Sequence, residues 1–301
     1  SPAGANVTMT PTAMAHYFVT PEQIALADKH LPSSARVYAR LQKLLGHPET
    51  NLADIAALVR VDTALAAGVL RSSNCVYFQR GEEVSTVDDA IQRVGLREVH
   101  RLVGLTVSSK LFAADLPLYA LLGDALWKNS VATALAAARL ARTAGEDERV
   151  AYTLGLLRPV GRLLLARIAP DERLPLALPG ANVATSTRGW ERATFGKTSA
   201  EVSSILLSQW GFPFAACEGM RSHDHLSEAI EPTRIGALLH LASWVVSVVG
   251  HGLPCEKDGW MPSRRVLADA GLAIETVEQA IGATRDELDQ LRDVLHLAMA
   301  A

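Results

Sequence analysis

Apolar residues along the chain recur three and four positions apart, which is the spacing of one face of an α-helix. The first such run opens at Thr20, where Thr20 and Gln23 form a capping-box pattern around Pro21 and predict a helix over residues 21–30. No stretch shows the sustained period-two alternation of a half-buried strand. The pattern therefore predicts an all-α protein.

Local start and stop signals divide the rest of the chain into further helices. Asn51 and Asp62 are predicted N-caps, and Ser85 is predicted to cap a helix that Gly95 ends. The remaining predicted helices span residues 37–45, 118–144, 150–168, 198–210, 213–222, 232–250, 263–270 and 275–299. The helix 198–210 opens with a second predicted capping box, formed by Thr198 and Glu201. The stretch 170–186 contains Pro and Gly and is weakly patterned, so it is predicted to be a loop.

Two of these helices carry a prediction about their packing. Pro159 lies inside the run 150–168 and is predicted to kink it, because the ring removes a backbone donor and presses on the preceding turn. The segment from Glu275 has an apolar stripe that could dock on the domain or dimerise, and docking is the favoured interpretation.

The chain is long enough for two helical subdomains. We divide it into an N-terminal tail (1–20), an N-terminal helical subdomain (21–115) and a helical bundle with a C-terminal helix (116–301).

Composition and charge exclude several classes of function. The formal charge of −3 provides no surplus of Lys and Arg for nucleic acid or anionic lipid. Cys75, Cys217 and Cys255 lack the spacing of a disulfide framework or a zinc cluster, which favours the reducing cytoplasm. The apolar stretch 235–250 is too short for a membrane span, and the N-terminus lacks the pattern of a secretion signal.

The motifs that bind common cofactors are also missing from the sequence. It contains neither a GxxxxGK[ST] phosphate loop nor a GxGxxG turn after a predicted strand, and it has no GxSxG nucleophile elbow. We therefore expect no cofactor, no nucleic-acid partner and no membrane partner.

Several separated segments together resemble one known family. Asp62 and Leu65 precede LRSSNCVYF, which contains Asn74, and VSTVDDAIQRVGL follows over residues 84–96. This block is similar to the D-x-x-L…N-S-x-x-F…I-x-x-A-I-x-x-L-G run of the HDOD (HD-related output domain) family. Asn74 and Asp62 are most simply helix-capping and turn residues within that run.

The second half of the chain continues the resemblance, which covers about residues 25–250. Its segments are WKNS at 127–130, GLLRPVG at 155–161, residues 191–196, and LLSQWGFP at 206–213. The parent HD phosphohydrolase superfamily carries metal-binding His and Asp residues at positions that here read Asn129, Arg158, Pro159 and Ser243, and a further family His reads Ser199.

These departures imply a degenerate HD-like bundle without catalytic or metal-binding residues. Amide and hydroxyl groups are weak neutral ligands, and Arg is a permanent cation. By resemblance, the chain is a non-enzymatic bacterial output module that acts on a signalling protein partner, with a homodimer as a further possibility. The alternatives are a metal-dependent phosphohydrolase of nucleotides or cyclic dinucleotides and a metal-free small-molecule sensor.

Some residues keep two interpretations. His223, in the polar stretch RSHDH, is expected in an exposed turn, although it could match a late metal-binding His of the family or contact a ligand. Arg158 is either a salt-bridge partner or an anion contact in the vacated site. Trp127, Trp210 and Trp244 are expected to pack in the core or between subdomains rather than to line a cofactor site.

Overall fold

The computed structural model describes residues 18–47, 49–75, 83–169, 186–226, 232–256 and 259–299. The helices are α1 (Pro21–Asp28), α2 (Ser33–Leu45), α3 (Leu52–Arg60), α4 (Thr63–Ser73), α5 (Val87–Leu111), α6 (Gly123–Ala144), α7 (Glu148–Leu157), α8 (Val160–Ile168), α9 (Thr187–Phe195), α10 (Ser199–Gln209), α11 (Phe214–Ser222), α12 (Arg234–Val249), α13 (Arg264–Ala270), α14 (Ile274–Gln290) and α15 (Arg292–Met299). Strands are absent from the described ranges, where one isolated bridge joins Leu116 and Leu121. The all-α prediction is confirmed.

The predicted helix starts follow from side chains that bind free backbone N–H groups. The Thr20 and Thr198 hydroxyls each accept from the residue three positions on, completing two capping boxes. Asn51 caps α3 in the same way, and Asp62 accepts from two N–H groups of α4. These caps confirm the predictions made from local sequence.

The helix predicted over residues 85–95 differs from the structure at its start, where the N-cap is Thr86 rather than Ser85. Its predicted end is confirmed, because Gly95 has a non-helical backbone (φ 81°, ψ 162°) that separates the two helical segments of α5. The second segment, from residue 96 to Leu111, packs its buried side chains Val99, Val103 and Val107 in the core.

The helix predicted from residue 118 starts five residues later, at Gly123. A short 3-10 turn (Pro117–Tyr119) precedes it, and Asp115 accepts a hydrogen bond from the Gly123 N–H at 2.8 Å. A Cβ at Gly123 would lie 2.6 Å from the Ala113 carbonyl oxygen, so the close return of the chain requires glycine here.

Pro159 interrupts the run 150–168, as predicted. α7 ends at Leu157 and α8 begins at Val160, with Pro159 at the N-cap of α8. Side chains from neighbouring helices supply hydrogen bonds at the break: Ser130 donates to the Leu156 carbonyl and Ser203 to the Arg158 carbonyl. The break therefore places Arg158 where two helix ends meet.

One apolar core runs through the described helices. α6 packs along α7 and α12, and α1 packs on α8 and α10. Trp127 and Trp210 are buried in this core and Trp244 packs against it, as predicted. The division at residue 115 stays a prediction.

The C-terminal segment docks on the chain itself, as favoured above. It forms two helices rather than one: α14 packs on α6 and α12, and α15 packs on α4 and α5. Val277, Leu291 and Val294 are buried by these contacts.

Asn74 ends α4 and clamps the chain beyond it. Its amide donates to the Val84 carbonyl at 2.8 Å and accepts from the Val84 N–H at 2.9 Å. The residue thus has the capping and turn role predicted for it.

The predicted tail up to residue 17 and nearly all of the predicted loop 170–186 lie outside the described residues. Of the described helices, none has the length and apolarity needed to cross a membrane.

Candidate functional site

The five positions singled out from the sequence are all buried, but the structure brings only some of them together. Asn129 lies on α6 and contacts Arg158, whose Nη2 donates to the Asn129 Oδ1 at 2.6 Å. The Ser243 hydroxyl donates to the Leu239 carbonyl of its own helix. The Ser199 N–H donates to Glu191 at 2.6 Å. Pro159 contributes the break described above.

The principal partner of Arg158 is Glu256, a residue that the sequence did not point to. Nη1 of Arg158 lies 2.8 Å from Oε1 of Glu256, and Nη2 lies 3.1 Å from Oε2. Such a two-point arrangement matches the planar guanidinium to the planar carboxylate. Both side chains are nearly fully buried, with 3% and 7% exposure. In this structure Arg158 is a salt-bridge partner.

A second arginine shares the same carboxylate. Arg162, one turn further along α8, pairs through Nη2 with Glu256, and its Nε lies 3.9 Å from Glu191. The Tyr119 hydroxyl donates to Glu191 at 2.9 Å. We call Arg158, Arg162, Glu191 and Glu256 the arginine cluster.

The two carboxylates of the arginine cluster differ in their electrostatics. Burial by itself would raise the pKa of Glu256, but the charges and hydrogen bonds of Arg158 and Arg162 hold it well below its usual range. Burial raises the pKa of Glu191 despite the opposing charge of Arg162. Glu256 is therefore the main counter-charge of both arginines.

The connector between α12 and α13, described at residues 251–256 and 259–263, covers the arginine cluster. The Asn129 amide donates to the His251 carbonyl at 2.8 Å, and Thr187 donates to the Cys255 carbonyl. Trp260 Nε1 donates to Glu256 Oε2 at 3.1 Å. The connector is thus held to α6 and α9, and through Glu256 to Arg158 and Arg162.

Trp260 joins the arginine cluster to two histidines. The Arg158 guanidinium carbon lies 5.3 Å from the ring centroid of Trp260, a cation–π distance. His223 stacks on the same indole at 5.6 Å, and His240 meets its edge at 5.2 Å. His223 and Arg158 therefore share one aromatic neighbour.

The expectation that His223 lies in an exposed turn is wrong. Its exposure is 3%, and Nδ1 is 2.7 Å from the Met220 carbonyl. Burial and the nearby charge of Arg158 lower its pKa to about 4, although Asp224 opposes this. The local polar sequence indicated exposure, but Trp260 covers the imidazole from a distant part of the chain.

Within the described ranges, no three His, Cys, Asp or Glu side chains are grouped so that they could hold a metal ion.

Sequence reasoning missed Arg162, Glu256 and Trp260. Arg162 carried a usable signal, because a cation inside the apolar run VGRLLL requires a buried counter-charge. Glu256 and Trp260 carried none, since both lie in a connector outside any periodic segment.

Comparison with known proteins gives one family match. The model of the HDOD domain family matches residues 31–226. An uncharacterized protein of Treponema pallidum (strain Nichols) is 23% identical over 214 residues, which is 69% of this chain and 40% of the relative. The chain thus spans less than half the length of this curated relative.

Solved structures share the fold at low sequence identity. A proposed signal transduction protein from Marinobacter aquaeolei VT8 is 20% identical, with a TM-score of 0.68 over 92% of this chain and 65% of that one. A proposed phosphohydrolase from Shewanella amazonensis SB2B is 21% identical, with a TM-score of 0.62 over 92% and 96%. An HDOD domain protein with unknown function from Geobacter sulfurreducens is 19% identical, with a TM-score of 0.61 over 92% and 97%. These identities show the common fold alone.

Proposed function

The chain belongs to the HDOD domain family, and we propose that it is a non-enzymatic signal-transduction module that acts through contacts with a protein partner. The observation that carries this proposal is the pairing of the Arg158 guanidinium with Asn129 and Glu256. By the sequence resemblance, Arg158 occupies the position of the His in the superfamily's His-Asp dipeptide.

The donor set at this position does not fit a divalent metal. HD enzymes use imidazole and carboxylate ligands to bind the cation that activates water. Here Arg158 and Arg162 place two permanent positive charges against the Glu256 carboxylate. The Ser243 hydroxyl donates a hydrogen bond to a carbonyl of its own helix. A dication would have to enter against both guanidinium charges.

The Glu191 and Glu256 carboxylates are the strongest argument for the alternative, a metal-dependent phosphohydrolase. Each is already bound: Glu256 by both arginines and Trp260, and Glu191 by Tyr119 and the Ser199 N–H. Removing those partners to free a ligand would leave buried charges unpaired, which costs several kcal/mol per ion. We therefore favour a non-enzymatic function over metal-dependent hydrolysis.

Metal loading and hydrolysis test the first half of the proposal. The purified chain is incubated with manganese, iron(II), nickel or zinc, freed of excess metal, and measured by elemental analysis and by hydrolysis of nucleotides, cyclic dinucleotides and bis(p-nitrophenyl) phosphate. We expect no stoichiometric metal and no turnover. About one equivalent of metal together with turnover that a chelator abolishes would contradict the proposal.

Reconstitution tests the second half. A partner captured with the chain from its source cells is purified separately and mixed with the chain, and the complex is measured by size exclusion with light scattering. We expect a complex of fixed stoichiometry that forms without added metal or nucleotide. If every captured candidate fails to bind as a purified protein, the contact-based role is wrong.

A further inference from the structure

The arginine cluster contains buried donors that its acceptors do not use. Nε of Arg158 and both Nε and Nη1 of Arg162 are buried, and none has a hydrogen-bond partner among the described residues. The two side chains are only 3% and 8% exposed. A buried donor without an acceptor is costly, so unused donors on two adjacent cations indicate a site for a further acceptor.

The Glu256 carboxylate lies between the two arginines, but it has too few oxygen atoms to accept hydrogen bonds from all of their N–H groups. Glu256 has two oxygens, and these accept from both Nη atoms of Arg158, from Nη2 of Arg162 and from Trp260. A terminal phosphate group has three free oxygens and a larger negative charge than a carboxylate, and guanidinium groups bind it through paired N–H donors. It can accept from more of these donors than a carboxylate can.

Glu256 reaches the arginines from the surface. It ends a three-residue 3-10 turn, Pro254–Glu256, whose Pro254 is exposed and whose other two residues are partly exposed. The glycine at 252 and the glycine at 259 on either side are also exposed. A movement of this turn would take the carboxylate away from the arginines and would break the hydrogen bonds from Thr187 to Cys255 and from Trp260 to Glu256.

We propose that Arg158 and Arg162 form a binding site for the phosphate group of a small molecule, and that Glu256 occupies this site as an internal substitute which the ligand displaces. This inference deepens the proposed function, because a ligand that moves the turn would change the surface offered to a protein partner. The carboxylate and the phosphate compete for the same guanidinium groups, so removal of the carboxylate should strengthen phosphate binding.

Two matched substitutions test the competition. Glu256→Gln removes the carboxylate from Arg158 and Arg162, and Glu287→Gln removes one that pairs with Arg101 and Arg139 on another face. Binding of inorganic phosphate is measured by phosphorus-31 NMR and calorimetry at fixed ionic strength. We expect Glu256→Gln to bind phosphate about ten-fold or more tightly than the wild type, with Glu287→Gln within about two-fold of the wild type. Adding Arg162→Gln to Glu256→Gln should remove the gain.

Equal gains in Glu256→Gln and Glu287→Gln, or a folded Glu256→Gln variant that binds phosphate no better than the wild type, would overturn the proposal. Circular dichroism establishes whether the variant is folded. If it does not fold alone, phosphate should restore its helical signal and an equal concentration of chloride should not. Failure of that rescue also overturns the proposal.

The wild-type protein provides an independent measurement. Cys255 precedes Glu256 and is partly buried, whereas Cys75 and Cys217 are buried elsewhere and serve as internal references. We expect saturating phosphate to speed alkylation of Cys255 several-fold, read by mass spectrometry, without a change at the other two thiols. An unchanged rate at Cys255 contradicts displacement. Because free phosphate offers no ester bond to hydrolyse, this result is separate from the test for enzymatic activity.

Discussion

Arg158 and Glu256 lie 98 residues apart in the sequence and form a two-point ion pair in which Nη1 is 2.8 Å from Oε1 and Nη2 is 3.1 Å from Oε2. The pair joins the break between α7 and α8 to the connector between α12 and α13. The ion pair therefore holds this connector over the arginine cluster.

The stability of the fold should depend on the Glu256 carboxylate. Glu256→Gln leaves two buried guanidinium groups without their main counter-charge, and we expect it to lower the free energy of unfolding by about 3–5 kcal/mol in phosphate-free buffer. Urea unfolding followed by circular dichroism measures this. Asp289→Asn, in the exposed pair with Arg292, is the matched control and should cost less than about 1 kcal/mol. An equal loss in the free energy of unfolding from the two substitutions would show that the buried ion pair contributes no more to stability than the exposed one.

Restoring the superfamily dipeptide should not create an enzyme. In Arg158→His/Pro159→Asp, Arg162 still pairs with Glu256, and the positions Asn129 and Ser243 still supply no imidazole or carboxylate. Catalytic zinc sites usually use three protein ligands and an open water position, so we expect no metal-dependent hydrolysis and a loss of stability from the new buried carboxylate. Phosphodiester turnover by the double variant above the wild-type background, abolished by a chelator, would refute this.

Stability should fall as the solution is acidified through the range where free histidine takes up a proton. Burial lowers the pKa of His223 to about 4 and that of His100 to about 3. Between these values and the usual 6.5, the unfolded chain binds protons that the folded protein does not, so the free energy of unfolding falls with falling pH and levels off below the folded pKa. From pH 7 to pH 5 we expect a loss of about 2 kcal/mol for each of the two histidines.

Urea unfolding at a series of pH values measures this slope. His223→Gln should remove about half of the contribution of the two histidines, while His47→Gln controls for the loss of an exposed imidazole. A slope that His223→Gln leaves unchanged would show that the buried imidazole does not cause the pH dependence.

Two Gly→Ala substitutions should have opposite signs. A Cβ at Gly161 would lie 1.9 Å from the Ser199 carbonyl oxygen, so Gly161→Ala forces α8 and α10 apart and should cost about 2 kcal/mol or more. A Cβ at Gly282, in the exposed part of α14, meets nothing within 4 Å. Gly282→Ala should therefore add about 0.5–1 kcal/mol from helix propensity. Thermal and urea unfolding compare them, and a stabilising Gly161→Ala would mean that the two helices do not approach so closely.

Local sequence was sufficient for much of the helical framework. Thr20, Asn51, Asp62 and Thr198 cap the helices predicted from them, because an N-cap bond spans only two or three residues. Pro159 breaks its helix for an equally local reason, since a proline ring cannot donate to the preceding turn. The motifs shared with the HDOD family could also be recognised in the sequence alone.

A local signal failed where tertiary packing outweighed it. RSHDH has a polar composition, which indicated an exposed turn, yet His223 is buried and stacks on Trp260. A contact with a distant residue decided the structure at this position, and a local pattern cannot show which distant residue that is.

The sequence by itself determined that the chain is helical and where most helices begin, and its resemblance to the family predicts that Arg158 stands where the superfamily has a metal-binding histidine. Only the tertiary structure decided that Glu256 is the partner of Arg158 and that Arg162 shares it. The reason is physical: a buried guanidinium requires a counter-charge but does not specify where in the chain it comes from. Here it comes from a short turn with no periodicity, brought to the arginines by the path of the chain between α12 and α13.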